Sequence, residues 1–348
     1  MATITTQTTS SPAQNASIKL NITAPLPSPP QPTKKTNILS SLPPSLVPYA
    51  ELMRLHQPAG IYAAYVPNLI GVFLAAASPT LTPSHRPTPT HLFSLTILHA
   101  LSNTLLRGSA CAYNDALDAP YDRQVARCKN RPVARGAVSA LQAHTFAFFL
   151  GLCWILTLSI LPSTSYMPAA LLAASMAFYP FCKRITHFPQ FVLGLSLALS
   201  QGIGYGSLGV DIRVLDSGTR IALACLYVSY VVHTMIYDTV YAHQDLQDDL
   251  KAGVLSMAVL CQGRTKMVLT SLAGMEVGLL GATGWMMGFG GMYWGGAVGG
   301  SAVVLGRMIC VVKLEEPKDC RWWFERLLWW TGACVIGGLV GEFFLRGQ

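Results

Sequence analysis

An all-α bundle embedded in a bilayer is the fold this sequence predicts, and three observations predict it. Hydrophobic residues fill 51% of the 348 positions and charged residues only 11%, with a mean hydropathy of +0.41, outside the ordinary range of water-soluble domains. Several apolar stretches approach or reach the roughly 20 residues that cross about 30 Å of hydrocarbon, and short polar segments separate them. Glycine is plentiful, 30 in the chain, and inside apolar stretches it permits close helix packing in lipid and does not mark loops. An open sheet would leave unpaired edges in lipid, so the spans are helices.

Taken in order, the spans fall at Ala59–Ala77, His91–Ala112, Ala137–Leu161, Tyr166–Phe181, Phe188–Leu208, Ile221–Tyr237, Met267–Phe289, Tyr293–Val311 and Leu327–Phe344, which predicts a nine-helix transmembrane bundle over residues 51–348. Residues 1–50 differ. Ser, Thr, Pro and Asn dominate there up to Pro48 without a periodic apolar face, so the segment reads as a disordered cytosolic tail. It lacks any Arg before Arg54 and any apolar core of signal-peptide length before Ala59, which favours the endoplasmic reticulum over the mitochondrial inner membrane as the alternative.

A formal net charge of +8 would suggest nucleic acid if gathered on a soluble face, but in a membrane protein the position of the charges matters more than their sum. Among the 24 Lys and Arg, only Arg86, Arg213, Arg220 and Arg346 fall on the side opposite the N-terminus, and Arg107 and Arg307 lie inside spans. The N-terminal side is therefore expected to be cytosolic, and no nucleic-acid partner is expected. The nine Cys and eight His show no metal-ligand spacing; the former read as small packing residues. Asn15-Ala-Ser17 and Asn21-Ile-Thr23 match the glycosylation sequon, yet a cytosolic tail leaves them unmodified.

The acidic residues carry the chemistry. Only 16 Asp and Glu occur, and two short clusters follow spans two and six directly. The first reads Asn114-Asp115-Ala-Leu-Asp118-Ala-Pro-Tyr-Asp122, whose spacings of three, four and seven stack three carboxylates along one helix face. The second, Asp238-Thr-Val-Tyr-Ala-His-Gln-Asp245-Leu-Gln-Asp248-Asp249, places 238, 245 and 249 on one face by the same arithmetic. Carboxylates so stacked repel, and a divalent cation relieves the repulsion. Hard oxygen donors without thiolates or imidazoles suit Mg2+, which normally uses one or two carboxylates and the phosphates of a substrate.

Cations for such a substrate are present: Arg123, Arg127, Lys129, Arg131 and Arg135 follow the first cluster, Lys183 and Arg184 end span four, and Lys251, Arg264 and Lys266 follow the second. Arg suits bidentate phosphate contact and Lys a mobile point charge. Spans two, four and six leave the bundle on the same side, which Arg54 joins just before span one. The polar groups thus converge on one mouth.

The chain resembles the UbiA superfamily of intramembrane aromatic prenyltransferases, including 4-hydroxybenzoate polyprenyltransferases and fungal meroterpenoid farnesyltransferases, over about residues 51–345. The resemblance rests on Arg54-Leu-His-Gln-Pro58-Ala-Gly60, the first acidic cluster with Lys129-Asn-Arg131-Pro132-x-x-x-Gly136, Tyr179-Pro180-x-x-Lys183-Arg184-x-Thr186, and Tyr237-Asp238-x-x-Tyr241-Ala-His-Gln-Asp245-x-x-Asp248-Asp249. Beyond Lys251 and Gly253 the family's usual Lys-Ser-Thr-Ala reads Leu255-Ser256-Met257-Ala258.

The resemblance implies Mg2+-dependent transfer of an isoprenyl chain from its diphosphate to an electron-rich aromatic carbon. It implies one metal held by Asn114, Asp115, Asp118 and Asp122 and another by Asp245 and Asp249, with Asp238 and Asp248 as weaker ligands or as their hydrogen-bond partners. Arg54, Arg131, Arg135, Lys183 and Lys251 would face the diphosphate. The expected donor is farnesyl diphosphate and the acceptor a polyketide-derived phenolic acid or hydroxypyrone, with an epoxidase and a membrane terpene cyclase acting in the same pathway. The alternative is the mitochondrial 4-hydroxybenzoate enzyme of ubiquinone synthesis. A cation-coupled transporter would place its ionisable groups near the bilayer midplane, whereas these lie at one end; a scaffold has no use for carboxylates that repel.

Overall fold

The computed structural model describes residues 37–57, 59–78, 86–123, 128–182, 185–253 and 255–346. Its elements are helical: α1 (Asn37–Ser40), α2 (Val47–Leu52), α3 (Ala59–Ala77), α4 (Pro89–Asp122), α5 (Ala140–Leu158), α6 (Tyr166–Cys182), α7 (Pro189–Gly206), α8 (Ser217–Ala242), α9 (Leu246–Ala252), α10 (Met257–Leu260), α11 (Thr265–Met286), α12 (Gly291–Tyr293), α13 (Ser301–Val311) and α14 (Pro317–Arg346). A π-helical turn, Trp294–Gly300, joins α12 to α13.

Every predicted span coincides with helix, but their number is corrected. Among the described residues six helical segments are long and apolar enough to cross a membrane: Ala59–Ala77, Ala140–Leu158, Ser217–Lys251, Thr265–Met286, Gly291–Val311 and Pro317–Arg346. The other three expected spans fall on α4, α6 and α7. Helix α6 has only 17 residues, and α7, with 18, buries the polar side chains of Gln190, Ser196, Ser200 and Gln201. Helix α4 has 34 residues but turns His99, Asn103 and Asp115 into the protein. Counting apolar stretches from sequence does not separate a helix that faces lipid from one whose polar residues face inward.

The boundary of the tail also moves. Helix α2 crosses residue 50, and Leu39, Ala50 and Leu52 are buried, so the described residues 37–50 are not the structureless segment their composition suggests. The rest of the expected tail, 1–36, lies outside the described residues.

Local chemistry sets several helix ends. The Thr88 hydroxyl accepts the His91 N–H at 3.2 Å with Pro89 in the first turn of α4. Ser139 and Gln142 form a reciprocal capping box on α5. Asp216 caps α8 by accepting the Thr219 N–H at 3.0 Å. On the far side of the bundle from Arg54, the Arg346 guanidinium donates to the carbonyls of Met287, Gly288 and Ala77 and stacks on Phe289, tying the ends of α3, α11 and α14 together.

Helices α3 and α7 cross with bare backbone between them. A Cβ on Gly71 would sit 2.0 Å from the Gln201 carbonyl oxygen, and one on Gly204 would sit 2.0 Å from that of Asn68. Only glycine permits that approach. The outer surface has the opposite character: Phe148 and Leu156 of α5 are 68% and 67% exposed, a contiguous apolar face that only lipid covers without penalty.

Candidate active site

The site begins at the turn between α2 and α3. Arg54 sits there with φ of 56°, in the left-handed region that residues other than glycine rarely occupy. Hydrogen bonds hold the turn: the Arg54 N–H reaches the Glu51 carbonyl at 3.0 Å and the Gln57 N–H the Arg54 carbonyl at 2.8 Å. From α4, Arg107 Nη1 donates to the Gln57 carbonyl at 3.0 Å and approaches that of Arg54 at 3.5 Å. A Cβ on Gly60 would lie 2.4 Å from Arg107 Nη2, so the glycine makes room for the guanidinium. A lone charge inside a span is costly, and Arg107 meets that cost with backbone carbonyls as partners.

That turn aims Arg54 at the first acidic cluster. Arg54 Nη2 donates to both carboxylate oxygens of Asp115, at 2.6 and 2.8 Å, and Asp115 is 1% exposed. Arg131, in the loop after α4, donates to Asp122 at 2.9 Å and lies 3.4 Å from Asp115. Asn114 donates to Asp118 at 3.1 Å along the same helix. The three carboxylates do share α4, as their spacing predicts, but here arginines offset the repulsion. Burial raises the Asp122 carboxyl above its ordinary range, while Arg131 pulls in the opposite direction.

Arg135 stands one step back, donating to the Asn130 carbonyl at 2.7 Å and pairing with Glu51. Glu51 belongs to no motif in the sequence, and its one signal there is its position three residues before Arg54. Arg123 braces the same loop through the Ala134 carbonyl at 3.1 Å.

The second cluster departs from its predicted geometry. Helix α8 ends at Ala242, His243–Asp245 form a 3-10 turn, and α9 starts at Leu246. A 3-10 turn advances about 120° per residue against about 100° in an α-helix, so Asp238, Asp245 and Asp249 do not keep one straight face. Asp238, Asp245 and Asp249 are partly buried, while Asp248 and Lys251 are exposed. Helix α9 ends at Gly253, φ of 67°, whose N–H returns to the Asp249 carbonyl. Lys183, with Arg184 and Arg127, lies outside the described residues.

Tyr179 of α6 lies within electrostatic reach of Asp118 in the first cluster and of Asp238 in the second. Aromatic rings bound the same region. Tyr237 and Tyr241 of α8 pack on Phe324 of α14, with ring centroids 5.6 and 4.4 Å apart, and Tyr241 is within electrostatic reach of Arg107. Among the described residues no three His, Cys, Asp or Glu side chains converge closely enough to hold a metal between them. The donor set is nevertheless of hard oxygens, in keeping with a cation whose shell is completed by a phosphate-bearing substrate.

An all-α membrane bundle with two acidic clusters, the first held by Arg54 and Arg131, defines an enzyme of the intramembrane transferase class. Residues 64–332 match the UbiA prenyltransferase family. The chain belongs to that family.

Its relatives include the prenyltransferase stbC of Stachybotrys bisbyi, 34% identical over 90% of this chain and 92% of that protein. The mitochondrial 4-hydroxybenzoate polyprenyltransferase of Schizosaccharomyces pombe is 34% identical over 80% of this chain and 75% of its own length. The DMOA farnesyltransferase nvfB of Aspergillus novofumigatus is 37% identical over 73% and 77%. A UbiA homolog from Archaeoglobus fulgidus, solved bound to GPP and Mg2+, superposes with a TM-score of 0.61 over 85% of this chain and 99% of that one, at 15% identity. At that identity the likeness carries the fold alone.

Proposed function

We propose that this enzyme transfers a farnesyl group from farnesyl diphosphate to an aromatic carbon of a polyketide-derived phenolic acid or hydroxypyrone, as in fungal meroterpenoid synthesis. The observation that carries the reading is the α4 cluster itself, where Arg54 holds Asp115 and Arg131 holds Asp122 beside Asp118. Support for a short donor comes from the farnesyltransferase relative, and support for Mg2+ from the archaeal homolog solved with it.

One Mg2+ would be held by Asn114, Asp115, Asp118 and Asp122 and another by Asp245 and Asp249, with Asp238 and Asp248 as weaker ligands or hydrogen-bond partners, and when bound they would neutralise the diphosphate and make it a better leaving group. Arg131, Arg135, Lys183 and Lys251 supply positive charge where charge develops on the departing oxygen. Arg54, already at Asp115, orients that carboxylate. The C–O bond of the donor breaks and an allylic cation forms. The electron-rich ring carbon attacks it, a C–C bond forms, and the ring then loses its proton. Tyr237, Tyr241 and Phe324, packed on one another, would wall the site and exclude water.

The second reading, a mitochondrial 4-hydroxybenzoate polyprenyltransferase with a longer donor, is favoured by the Schizosaccharomyces pombe relative. The location proposed with the first reading is the endoplasmic reticulum, with the site facing the cytosol and an epoxidase and a membrane cyclase consuming the product. Microsomes carrying the protein, given farnesyl diphosphate, Mg2+ and a panel of phenolic acids and hydroxypyrones, should yield a farnesylated ring. Rescue of a ubiquinone-deficient strain that lacks its own 4-hydroxybenzoate enzyme, together with mitochondrial localisation of the tagged protein, would decide for the second reading.

A further inference from the structure

Away from the acidic mouth, the bundle buries a second polar cluster. Glu276 of α11 is 2% exposed and His233 of α8 is 4% exposed, and His233 Nδ1 lies 3.2 Å from both carboxylate oxygens of Glu276. Both residues fall inside predicted spans, where an ionisable group without a role is selected against by its desolvation. The mechanism above uses neither of them.

A cavity of about 20 Å³ adjoins the pair, lined in part by Gln201 of α7, Ser229 and Tyr230 of α8, and Thr331 of α14. That is room for one water molecule. The polar groups around it are unevenly satisfied. Ser229 donates to the Leu226 carbonyl at 2.7 Å, Gln201 Nε2 to the same carbonyl at 3.4 Å, and Tyr230 to the Ala63 carbonyl at 2.7 Å. Thr331 is 2% exposed, and its hydroxyl meets no hydrogen-bond partner among the described residues. A buried hydroxyl in that position beside a carboxylate calls for a group that both accepts and donates.

We propose that this cavity is a binding site for a single water molecule, which accepts from Thr331 and donates to Glu276, and so joins α14 to the His233–Glu276 pair of α8 and α11. The junction acts on the site through one side chain. The His233 ring meets that of Tyr237 edge-on, centroids 5.4 Å apart, Tyr237 meets Phe324 in the same manner at 5.6 Å, and Tyr237 directly precedes Asp238. His233, Glu276 and Thr331 are thus positioning residues for Tyr237.

The test uses the full-length protein in lipid nanodiscs, imaged by cryo-electron microscopy at a resolution that shows ordered water. One density within hydrogen-bond distance of Thr331 Oγ1 and the Glu276 carboxylate is expected; an empty or apolar-filled cavity overturns the proposal whatever the enzyme's substrate. Thr331→Val keeps the shape and removes the hydroxyl. It should lose the water, displace the Tyr237 ring and lower kcat about tenfold at unchanged KM for the donor, the scale of one lost buried hydrogen bond. Thr331→Ser should restore all three. A Thr331→Val enzyme with wild-type kcat and an unmoved Tyr237 overturns the positioning role, and if that variant fails to fold, the wild-type density alone decides.

Discussion

Arg54 grips both carboxylate oxygens of Asp115 with a single nitrogen, at 2.6 and 2.8 Å, and does so from a left-handed backbone, φ of 56°. A residue held in that region at a conformational cost of order 1–3 kcal/mol persists only where its surroundings over-determine it. Here Asp115, Arg107 and the Glu51 carbonyl do so.

Replacing Arg54 with Ala should destabilise the protein by about 1.5–3 kcal/mol, the range for a hydrogen bond to a charged group. The loss stays below the roughly 3–5 kcal/mol of a fully orphaned buried charge, because Arg131 remains 3.4 Å from Asp115. Thermal unfolding in detergent measures it, and a variant within about 0.5 kcal/mol of wild type would show that the pair is incidental.

Asp115→Ala or Asp245→Ala should abolish prenyl transfer in a folded protein, since either change removes a hard oxygen from the assembly proposed to hold the metal and diphosphate. Adding a chelator to the wild-type enzyme should reproduce the loss, and Mg2+ should reverse it. Wild-type turnover by the Asp115 variant at saturating Mg2+ would sink the assignment.

Lys183→Met should slow the chemical step by about 10²–10³-fold, the scale of removing one group that stabilises developing charge, with little change in the KM for the acceptor. Single-turnover and steady-state rates separate the two effects. A rise confined to the acceptor KM would move this lysine to the acceptor side.

Gly204→Ala should cost at least about 1–3 kcal/mol, the usual penalty for overpacking, because its Cβ would arrive 2.0 Å from the Asn68 carbonyl oxygen and backbone cannot swing aside. Gly274→Ala is the matched control, with nothing within 4 Å of its Cβ. Equal melting temperatures for the two variants would refute the close crossing.

Much of this architecture is legible in the linear sequence, and the reasons it stops being so are local. All nine apolar stretches are helical because an apolar run of that length has no other stable form in lipid. Three of them do not qualify as simple spans: α6 is short, and the Gln201 amide of α7 and the Arg107 guanidinium of α4 face protein, to which a composition window is blind. The face expected for Asp238, Asp245 and Asp249 is turned by about 60° by a 3-10 segment at His243–Asp245 that no glycine or proline announces. Arg54 is recognisable as a site residue, yet its carboxylate partner lies 61 positions away. The pairing of His233 with Glu276 spans 43 positions. Such long-range pairings come from packing, not periodicity.

The glycine-lined crossing of α3 and α7 bears on how the molecule moves. With no side chains between Gly71 and Gln201 or between Gly204 and Asn68, the two helices have no rotamers to rearrange at the contact, and sliding one past the other would drive carbonyl oxygens into backbone. They form a single stiff beam. Breathing of the bundle wide enough to pass an apolar chain must therefore take place at seams where side chains interleave and can yield, with α3 and α7 as the fixed frame against which the other helices swing.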